Sequence, residues 1–564
     1  MVLVEVGAVI ILATILAYIS RGLKQPMILS YIAAGLILGP LGFGFIKNPE
    51  TIKSFSEIGI AFLLFIAGLE INLKKIKEES PVFLTSGLIQ IAMLFSTGFV
   101  IAIMMGFLKL EAIYIGLTLC FSSTMIAVKL LSDKGVLDTL HGRVVLGILL
   151  IEDLAAVLAL LVLSTPEMTP LLFFYSLLKG AALFIFAYVF AIRLVPIIFS
   201  FAAKSQELFF LSSLGVLFLF SLAFHLSGFS VVIGGFVAGV VLGSSDYNLE
   251  VMSKIKPIKD FFSTLFFISL GLTLNVFNFS NILSTLIVLV LVIIIFKPIM
   301  ITIFIKFFGY KTRTAFMTGI SLAQISEFAL VILLQGFSLG HISYEIFSLT
   351  ILLAIISMTV SSYYLEHADG LYKKFYRILK VFDKIPHYRE RLEYIPKRLK
   401  KPIIIFGGHR IGRVLIDTLK ELKKDILVID YDPTIINNLI NERTPCIYGD
   451  VNSDDVLGKI TFSDIVISTV PNKKDNLYLI KHVKRANPKS KVFVSSNNID
   501  DAIEYYNVGA DYIILPHMLS GQHISLVLKN LLQKKVSIDK LKRTNKKQLE
   551  KYFERFFVHS SHKL

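Results

Sequence analysis

Two adjacent acids, Glu152 and Asp153, stand in the middle of an apolar run, Val144 to Ile151 before them and Leu154 to Leu163 after. A carboxylate inside a bilayer costs roughly 3 kcal/mol or more, so it faces a wet cavity or a partner, and its natural work there is to take a cation or a proton. Successive residues of a helix point about 100° apart, so the two acids do not address one ion equally. Asp153 is the expected ion- and proton-binding group and the ligand of a monovalent cation. Glu152 is expected to tune it or to carry a second proton.

A second buried charge, Lys297, lies in another apolar run and is followed by Pro298. It is roughly 13 Å from the next cation, Lys306, a long way to snorkel. Its expected role is an ammonium that pairs with Asp153 when no cation is bound. Cation arrival would release it, so competition for Asp153 couples cation to proton. Ser122-Ser123-Thr124 and the group Gln324, Ser326 and Glu327 interrupt two further apolar runs. Such breaks suggest discontinuous helices whose ends supply dipoles and carbonyls to an ion. The expected ion-binding set is Asp153, Ser122, Ser123, Thr124, Gln324 and Glu327. For the serines, a hydroxyl bonded back to its own helix is the plain alternative.

The elements that carry these residues follow from hydropathy. The chain is 55% hydrophobic with a mean hydropathy of +0.72, which places much of it in lipid. Thirteen spans are expected, near 3–20, 27–44, 54–72, 82–106, 110–131, 140–163, 170–195, 206–224, 229–243, 259–277, 282–305, 313–336 and 342–364. The first run is expected to be a retained helix rather than a cleaved signal, because it lacks a basic leader and a small-residue cleavage site. One set of loops holds Arg21, Lys24, Lys74, Lys75, Lys77, Lys134, Arg143, Lys254, Lys256 and Arg313; the other holds little beyond Lys47, Lys53 and Lys109. The rich set is expected to face the cytoplasm of a multi-pass plasma-membrane protein, with the N-terminus outside and the C-terminal third inside. The net charge of +16 is therefore topological, and no nucleic-acid partner is expected. Two cysteines, Cys120 and Cys446, offer neither a disulfide framework nor a thiolate metal site.

The chain also repeats itself. Ala34-Gly35-Leu36-Ile37-Leu38-Gly39 returns as Ala238-Gly239-Val240-Val241-Leu242-Gly243, and Gly68-Leu69-Glu70-Ile71-Asn72 returns as Gly271-Leu272-Thr273-Leu274-Asn275. The offsets agree within one residue. An odd number of spans separates the copies, so they cross the membrane in opposite senses, a signature of secondary transporters.

Taken together, Gln25-Pro26 through Tyr31 to Gly39-Pro40, Phe65 to Asn72, Ser122-Ser123-Thr124, Glu152-Asp153, Phe267 to Leu272 and Leu322 to Phe328 resemble the cation:proton antiporter-2 family, most of all its Kef-type branch with a fused regulatory domain. The resemblance implies an all-α polytopic membrane domain of the sodium/proton antiporter type, with about 13 transmembrane helices, inverted repeats and crossed discontinuous helices. It implies an elevator-like homodimer that exchanges K⁺ or Na⁺ for protons by alternating access. In it Asp153 is the essential carboxylate and Lys297 its basic partner. Many glutathione-gated relatives carry Gln-Asp and many electrogenic sodium exchangers Asp-Asp where this chain has Glu152-Asp153, so ion choice and stoichiometry stay open. Ser30 and Ser326 stand where glycine is common.

Beyond the membrane domain, 1–366, residues 367–400 read as a basic connector, expected either to touch anionic headgroups or to be a plain solvated linker. From 401 to 520, β-branched runs at 403–406, 426–429, 465–467, 492–494 and 512–515 alternate with helical segments, an α/β Rossmann-like, doubly wound sheet. Gly407-Gly408-His409-Arg410-Ile411-Gly412 follows the first strand, and Asp430 ends the second, where a ribose-binding acid belongs. With His409 as the middle residue, the fingerprint favours a mononucleotide phosphate or hinders a dinucleotide. With Asp430-Tyr431-Asp432-Pro433, Gly449-Asp450 and Gly509-Ala510-Asp511, the region resembles the potassium-transport nucleotide-binding domain, RCK or TrkA-N. By that resemblance Gly407, His409, Arg410 and Gly412 surround a phosphate, Asp430 holds ribose and Asp450 lies near the base. The implied ligand is a regulatory adenine nucleotide, AMP, NAD(H) or ATP; transport itself needs no cofactor. Residues 521–564 read as a basic helical tail. An RCK-gated potassium channel is the alternative, but no Thr-Val-Gly-Tyr-Gly filter run is present. A nicotinamide enzyme is disfavoured because no substrate domain accompanies the nucleotide fold.

Overall fold

The computed structural model describes residues 2–46, 50–70, 81–163, 170–274, 279–385, 392–396, 402–451, 456, 463–533 and 536–557. Asn72, Asn275, the loop lysines Lys47, Lys74, Lys75 and Lys77, and the connector residues Arg389 and Arg391 lie outside them. The chain forms two compact units, Met1–Arg391 and Leu392–Leu564.

The first unit is helical: α1 (Val2–Gly22), α2 (Met27–Leu38), α3 (Glu50–Glu70), α4 (Pro81–Met104), α5 (Lys109–Cys120), α6 (Thr124–Asp133) and α7 (Leu140–Leu163). It continues through α8 (Pro170–Val189), α9 (Val195–Ala202), α10 (Gln206–Leu226), α11 (Val231–Gly243), α12 (Asn248–Thr273), α13 (Phe279–Leu291) and α14 (Lys297–Phe307). Then come α15 (Thr312–Ser321), α16 (Glu327–Ser338), α17 (Tyr344–Glu366) and α18 (Ala368–Leu379). Each expected apolar segment contains a helix, and among the described residues eight stretches are long and apolar enough to cross a membrane unaided, Lys109–Asp133 among them when its two halves are taken together. The segments 110–131 and 313–336 are half-helix pairs, α5/α6 and α15/α16, broken where the polar triplets fall.

Two helices are locally widened rather than broken. A π-helical turn, Val292–Phe296, joins α13 to α14 directly before Lys297-Pro298. Proline has no N–H, and its ring displaces the carbonyl four residues back, so the ladder widens there. The carbonyl so released, that of Ile294, accepts from the Tyr364 hydroxyl at 3.3 Å. Arg193, Leu194 and Pro196 repeat the pattern between α8 and α9.

The repeated glycines show how the two copies interlock. A Cβ on Gly35 of α2 would lie 2.1 Å from the Ile268 carbonyl oxygen of α12, and one on Gly271 of α12 would lie 2.1 Å from that of Ile32. The second pair repeats the relation: Gly68 of α3 would meet the Phe236 oxygen at 2.3 Å, and Gly239 of α11 the Phe65 oxygen at 2.1 Å. Each copy thus packs its glycine helix against the other copy's, backbone on backbone. The Phe62 and Phe262 rings stack near that junction, 5.4 Å apart.

The basic stretch after 366 is more than a spacer. Its first part is α18, whose Ala368 and Tyr372 pack against Phe316, Met317 and Ile320 of α15. A short 3-10 turn, Lys380–Lys384, follows.

The second unit holds β1 (Glu393–Tyr394), β2 (Ile403–Phe406), α19 (Arg410–Glu421), β3 (Ile426–Asp430), α20 (Pro433–Asn441), β4 (Cys446–Tyr448) and β5 (Ile465–Ser468). It goes on with α21 (Lys473–Ala486), β6 (Lys491–Ser495), α22 (Ile499–Val508), β7 (Tyr512–Ile514), α23 (Pro516–Leu532) and α24 (Ile538–Phe557). The sheet order is β1-β4-β3-β2-β5-β6-β7. The ladders from β4 to β7 are all parallel, as the alternation of strand and helix requires. Glu393-Tyr394 adds an antiparallel edge to β4 from within the segment expected as connector. Apolar clusters cover both faces of the sheet, around Ile404, Leu479 and Val492 on one and Ile405, Ile416 and Ile436 on the other.

Candidate functional site

The centre of the first unit is the meeting of the two broken helices. After α5 the chain is extended at Phe121, and Ser123 caps α6 by accepting from the Ile126 amide at 3.3 Å. After α15 it is extended at Ser326, which caps α16 by accepting from the Phe328 amide at 3.1 Å. The two capping serines stand at the offset of the repeat, so the breaks are symmetry mates. They are bonded to each other: Ser326 N–H to the Phe121 carbonyl at 3.1 Å, the Ser122 hydroxyl to the Leu322 carbonyl at 3.2 Å, and the Gln324 amide to the Ser123 carbonyl at 3.2 Å.

Helix α7 delivers the two acids to this crossing on different sides. Glu152 is fully buried. Its carboxylate accepts from Gln90 Nε2 at 2.8 Å, the Ser122 amide at 2.6 Å and the Ser122 hydroxyl at 3.4 Å. Asp153, half-buried, accepts from the Thr124 hydroxyl at 3.0 Å. Thr124 is the first residue of α6, so Asp153 sits at a helix N-terminus, where the backbone favours negative charge. The acids whose fields reach Asp153 are Glu327, Glu152 and Glu70. Glu327, the first residue of α16, accepts from the Ser123 hydroxyl at 2.6 Å and is buried.

Lys297 corrects one expectation. Its ammonium is not on Asp153. It donates to the carbonyls of Phe121 and Gln324, both at 3.2 Å, in the turns of the two breaks. The carboxylate whose field reaches it is Glu152. The cause is the turn of α7: with Glu152 facing Ser122 and α14, the next residue is rotated away, towards α6. Lys297 therefore answers the negative helix ends while Asp153 and Glu327 answer the positive ones.

Gln324 is also differently engaged than an ion ligand would be. Its Nε2 donates to Ser123 and Ser321 carbonyls, both at 3.2 Å, and its Oε1 accepts from the Ser361 hydroxyl at 2.6 Å. It braces the turn. Sequence reasoning passed over Gln90, Ser357 and Ser361, which support the site from α4 and α17; Ser357 accepts from the Ile325 amide at 3.3 Å. Gln90 had a readable signal, a lone amide inside an apolar run. So had Glu70, an acid where the other repeat carries Thr273; the fields of Lys259, Glu327 and Lys256 reach its carboxylate.

In the second unit the fingerprint loop follows β2. Gly407 has φ +93, and a Cβ there would meet Thr469 Oγ1 at 2.3 Å. A Cβ on Gly412 would lie 1.8 Å from the Gly407 oxygen, so α19 can start this close to the strand only with glycine. His409 is extended and precedes α19, which Arg410 opens with φ +38. The Asp430 carboxylate closes the loop, accepting from the Gly408 amide at 2.6 Å and the Asp432 amide at 2.7 Å. Burial pushes its carboxyl above the usual range, against the pull of those two amides. The Gly449 amide donates to the Asp430 carbonyl at 3.0 Å, which brings Asp450 to the same sheet end. Thr469, after β5, was not anticipated; its hydroxyl bonds the Phe406 and Gly407 carbonyls at 3.0 and 3.2 Å. The loop thus lies beside the point where the strand order reverses, the usual ligand crevice of such sheets.

Residues 9–367 match the family model of the transmembrane sodium/hydrogen exchangers, and residues 403–516 that of the TrkA-N domain. K(+) efflux antiporter 5 of Arabidopsis thaliana is 30% identical over 371 residues, covering 63% of this chain and 65% of its own length. The chain spans 59% and 58% of the lengths of K(+) efflux antiporters 4 and 6 from the same plant. The glutathione-regulated potassium-efflux protein KefC of Escherichia coli O7:K1 is 26% identical over 512 residues, 88% of this chain and 80% of that protein. Among solved structures, the sodium proton antiporter MjNhaP1 of Methanocaldococcus jannaschii aligns at 15% identity and a TM-score of 0.48, covering 67% of this chain and 97% of that one.

Proposed function

As the chain belongs to the sodium/hydrogen exchanger family, we propose that it is a secondary antiporter which trades K⁺ or Na⁺ for protons at Asp153, under the control of a nucleotide bound by its TrkA-N domain. The observation that carries this reading is Asp153 at the N-terminus of α6, tied to Thr124 at 3.0 Å inside the crossing of two broken helices. One carboxylate there holds either a cation or a proton. Thr124, Ser123 and Glu327 complete the polar set around it. Glu152, Ser122, Gln324 and Lys297 keep the crossing in shape.

K⁺ is the preferred cargo. It is the ion in the names of several relatives. Alternating access would carry α6, α7, α15 and α16 with the ion across the membrane. The exchanger match leaves the channel reading unsupported, and nothing in this scheme requires enzymatic chemistry.

For the second unit, the amide-lined loop at Gly407 to Gly412 would take phosphate at the N-terminus of α19, aided by His409 and Arg410. Asp430 would turn part of its carboxylate to ribose, and Asp450 would stand near the base. AMP, NAD(H) and ATP all fit that chemistry. The proposed organisation is an exchanger over 1–366, a connector over 367–400, the nucleotide domain over 401–520 and a helical tail over 521–564. It works as a homodimer in the plasma membrane, N-terminus outside and nucleotide domain in the cytoplasm.

Purified protein in liposomes with an internal pH dye tests the reading. Adding K⁺ or Na⁺ should move protons in the opposite direction, and Asp153→Asn should abolish the movement without loss of folded protein. Cation flux with no proton counterflow, or full activity in Asp153→Asn, would refute it.

A further inference from the structure

The ends of α6 and α15 that lie away from the crossing converge on one corner, residues 365–369 where α17 passes into α18. Lys134, which ends α6, places its ammonium on the carbonyls of Leu365 and Glu366, the latter at 3.1 Å. Arg313, the second residue of α15, donates to Asp369 Oδ1 at 2.9 Å. The Thr312 hydroxyl beside it donates to Asp383. Phe316 and Tyr372 rings lie 5.7 Å apart, and Met317, Ile320 and Ala368 are buried together. His141, the second residue of α7, bonds Thr139 at 2.9 Å and lies within electrostatic reach of Arg313, Asp369 and Lys134. From α1's side, Lys24 pairs with Glu366. So α6, which opens at Ser123-Thr124, and α15, which leads to Gln324, are both fastened at one place, with His141 at the start of the Glu152–Asp153 helix α7 close by. That place is also where the chain leaves for the nucleotide domain: α18 and its 3-10 turn end at Lys384, and the second unit begins at Leu392.

We propose that this corner is the regulatory joint of the exchanger, with Arg313–Asp369 as its latch, through which nucleotide binding biases the position of the broken helices. The inference rests on the antiporter reading and its nucleotide control. A pull on α18 is delivered to the first turn of α15, a rod roughly 15 Å long whose other end is the Leu322–Ser326 turn. Because the carbonyls of that turn and of Phe121 are joined through Lys297, a shift of α15 is felt at α6 and its Asp153 contact. Coupling of this kind is a difference in free energy between two arrangements, not a matter of proximity, so it has to be measured by breaking the joint. The latch suits such a test. Arg313 and Asp369 side chains are 31% and 65% exposed, so their ion pair contributes little to stability. Neither residue belongs to the ion site or the nucleotide loop.

The experiment uses the full chain in liposomes with NAD, NADH, AMP or ATP presented to the nucleotide domain, reading cation-driven proton flux and, by calorimetry, nucleotide binding. At least one nucleotide should change the wild-type rate. Arg313→Ala and Asp369→Ala should bind that nucleotide within about twofold of wild type and exchange at a near-wild-type basal rate, yet keep less than about a third of the rate change. The swapped double variant, Arg313→Asp with Asp369→Arg, should recover most of it. A full nucleotide response in both single variants would overturn the joint and leave the antiporter standing. A wild type that exchanges but ignores all four nucleotides would overturn the joint together with the regulatory reading, and a wild type that does not exchange would remove the antiporter itself.

Discussion

The hydroxyl of Thr124 donates to Oδ2 of Asp153 at 3.0 Å, so the first residue of one half-helix holds the acid of its neighbour. The bond both points the carboxylate and places a hydroxyl oxygen beside any ion that it takes. Thr124→Val keeps the shape and loses the bond. Its expected effect is a rise of about tenfold in the apparent KM for the cation, the size of one charge-assisted hydrogen bond, with proton flux at saturation much less affected. Thr124→Ser should stay near wild type. Cation titrations of liposome proton flux check both, and equal behaviour of Val and Ser would show that the hydroxyl is idle.

Close backbone packing at Gly35, Gly68, Gly239 and Gly271 makes a second expectation. A Cβ at any of them meets a carbonyl oxygen at 2.1–2.3 Å, and neither helix yields without moving the whole repeat contact. Alanine at each should cost about 1–3 kcal/mol or more, as overpacking does. Gly215 on α10 is the control, with nothing within 4 Å of its added Cβ. Thermal unfolding of the detergent-solubilised protein should show four damaging substitutions and one neutral one.

The apolar segments, the two breaks and the inverted repeat were legible because a polar side chain or a glycine inside an apolar helix is costly unless it has a purpose, and here each had one. The turn of α7 was not legible. Spacing tells that Glu152 and Asp153 diverge but not which neighbour each meets, and the Lys297–Asp153 pairing failed for that reason. Gln324 looked like an ion ligand because its partners Ser123, Ser321 and Ser361 come from three stretches of sequence. Glu393-Tyr394 was unreadable as a strand, since two residues have no period and gain their ladder only from Cys446-Ile447. The docking of α18 was hidden by its lysines and arginines, which make an amphipathic helix look like a solvated connector.

Asp430 closes the fingerprint loop through the amides of Gly408 and Asp432. Asp430→Ala leaves both amides without that acceptor and loosens the loop that would cradle phosphate. Nucleotide affinity should fall by about tenfold or more, while the K⁺/Na⁺ preference of exchange stays as it was. Calorimetry for the nucleotide and paired cation titrations for transport separate the two. A changed ion preference would contradict the division of labour between the units.

Asp511 gives a pH-dependent expectation. Its carboxylate accepts from the Val492 amide at 2.6 Å and Lys484 Nζ at 2.7 Å, fastening β6 to the start of β7. Burial pushes its carboxyl up, but Lys484 and the Val492 amide outweigh burial and hold it below the usual carboxylate range. A carboxyl depressed on folding stabilises above its unfolded pKa, and that stability is lost as pH falls through the folded value. Asp511→Asn should therefore lower the unfolding temperature of the nucleotide domain at pH 7 by a small amount, since the pair is partly exposed. The gap should close as the pH drops below about 4. Calorimetric scans at the two pH values check it, and a gap that widened in acid would reverse the sign.

Lys297 and Glu152 are expected to matter in a different way from Asp153. The ammonium holds the carbonyls of Phe121 and Gln324, and Glu152 holds Gln90 and Ser122, so each braces one side of the crossing. Lys297→Met orphans two buried carbonyls and leaves the Glu152 charge without its counter-charge. Removing one partner of a buried charged set costs about 3–5 kcal/mol. Glu152→Gln keeps an oxygen for the Ser122 amide but strands the ammonium, and should cost a similar amount. The double variant, Lys297→Met with Glu152→Gln, removes both charges and should recover part of the loss, giving a coupling energy of the sign expected for neighbours. Asp153→Asn, by contrast, should leave the unfolding temperature nearly unchanged while stopping exchange. Thermal unfolding of the four variants in detergent decides. If Asp153→Asn proved as damaging as Lys297→Met, the acid that takes the ion would also be a brace, and the separation of framework from cargo site would fall.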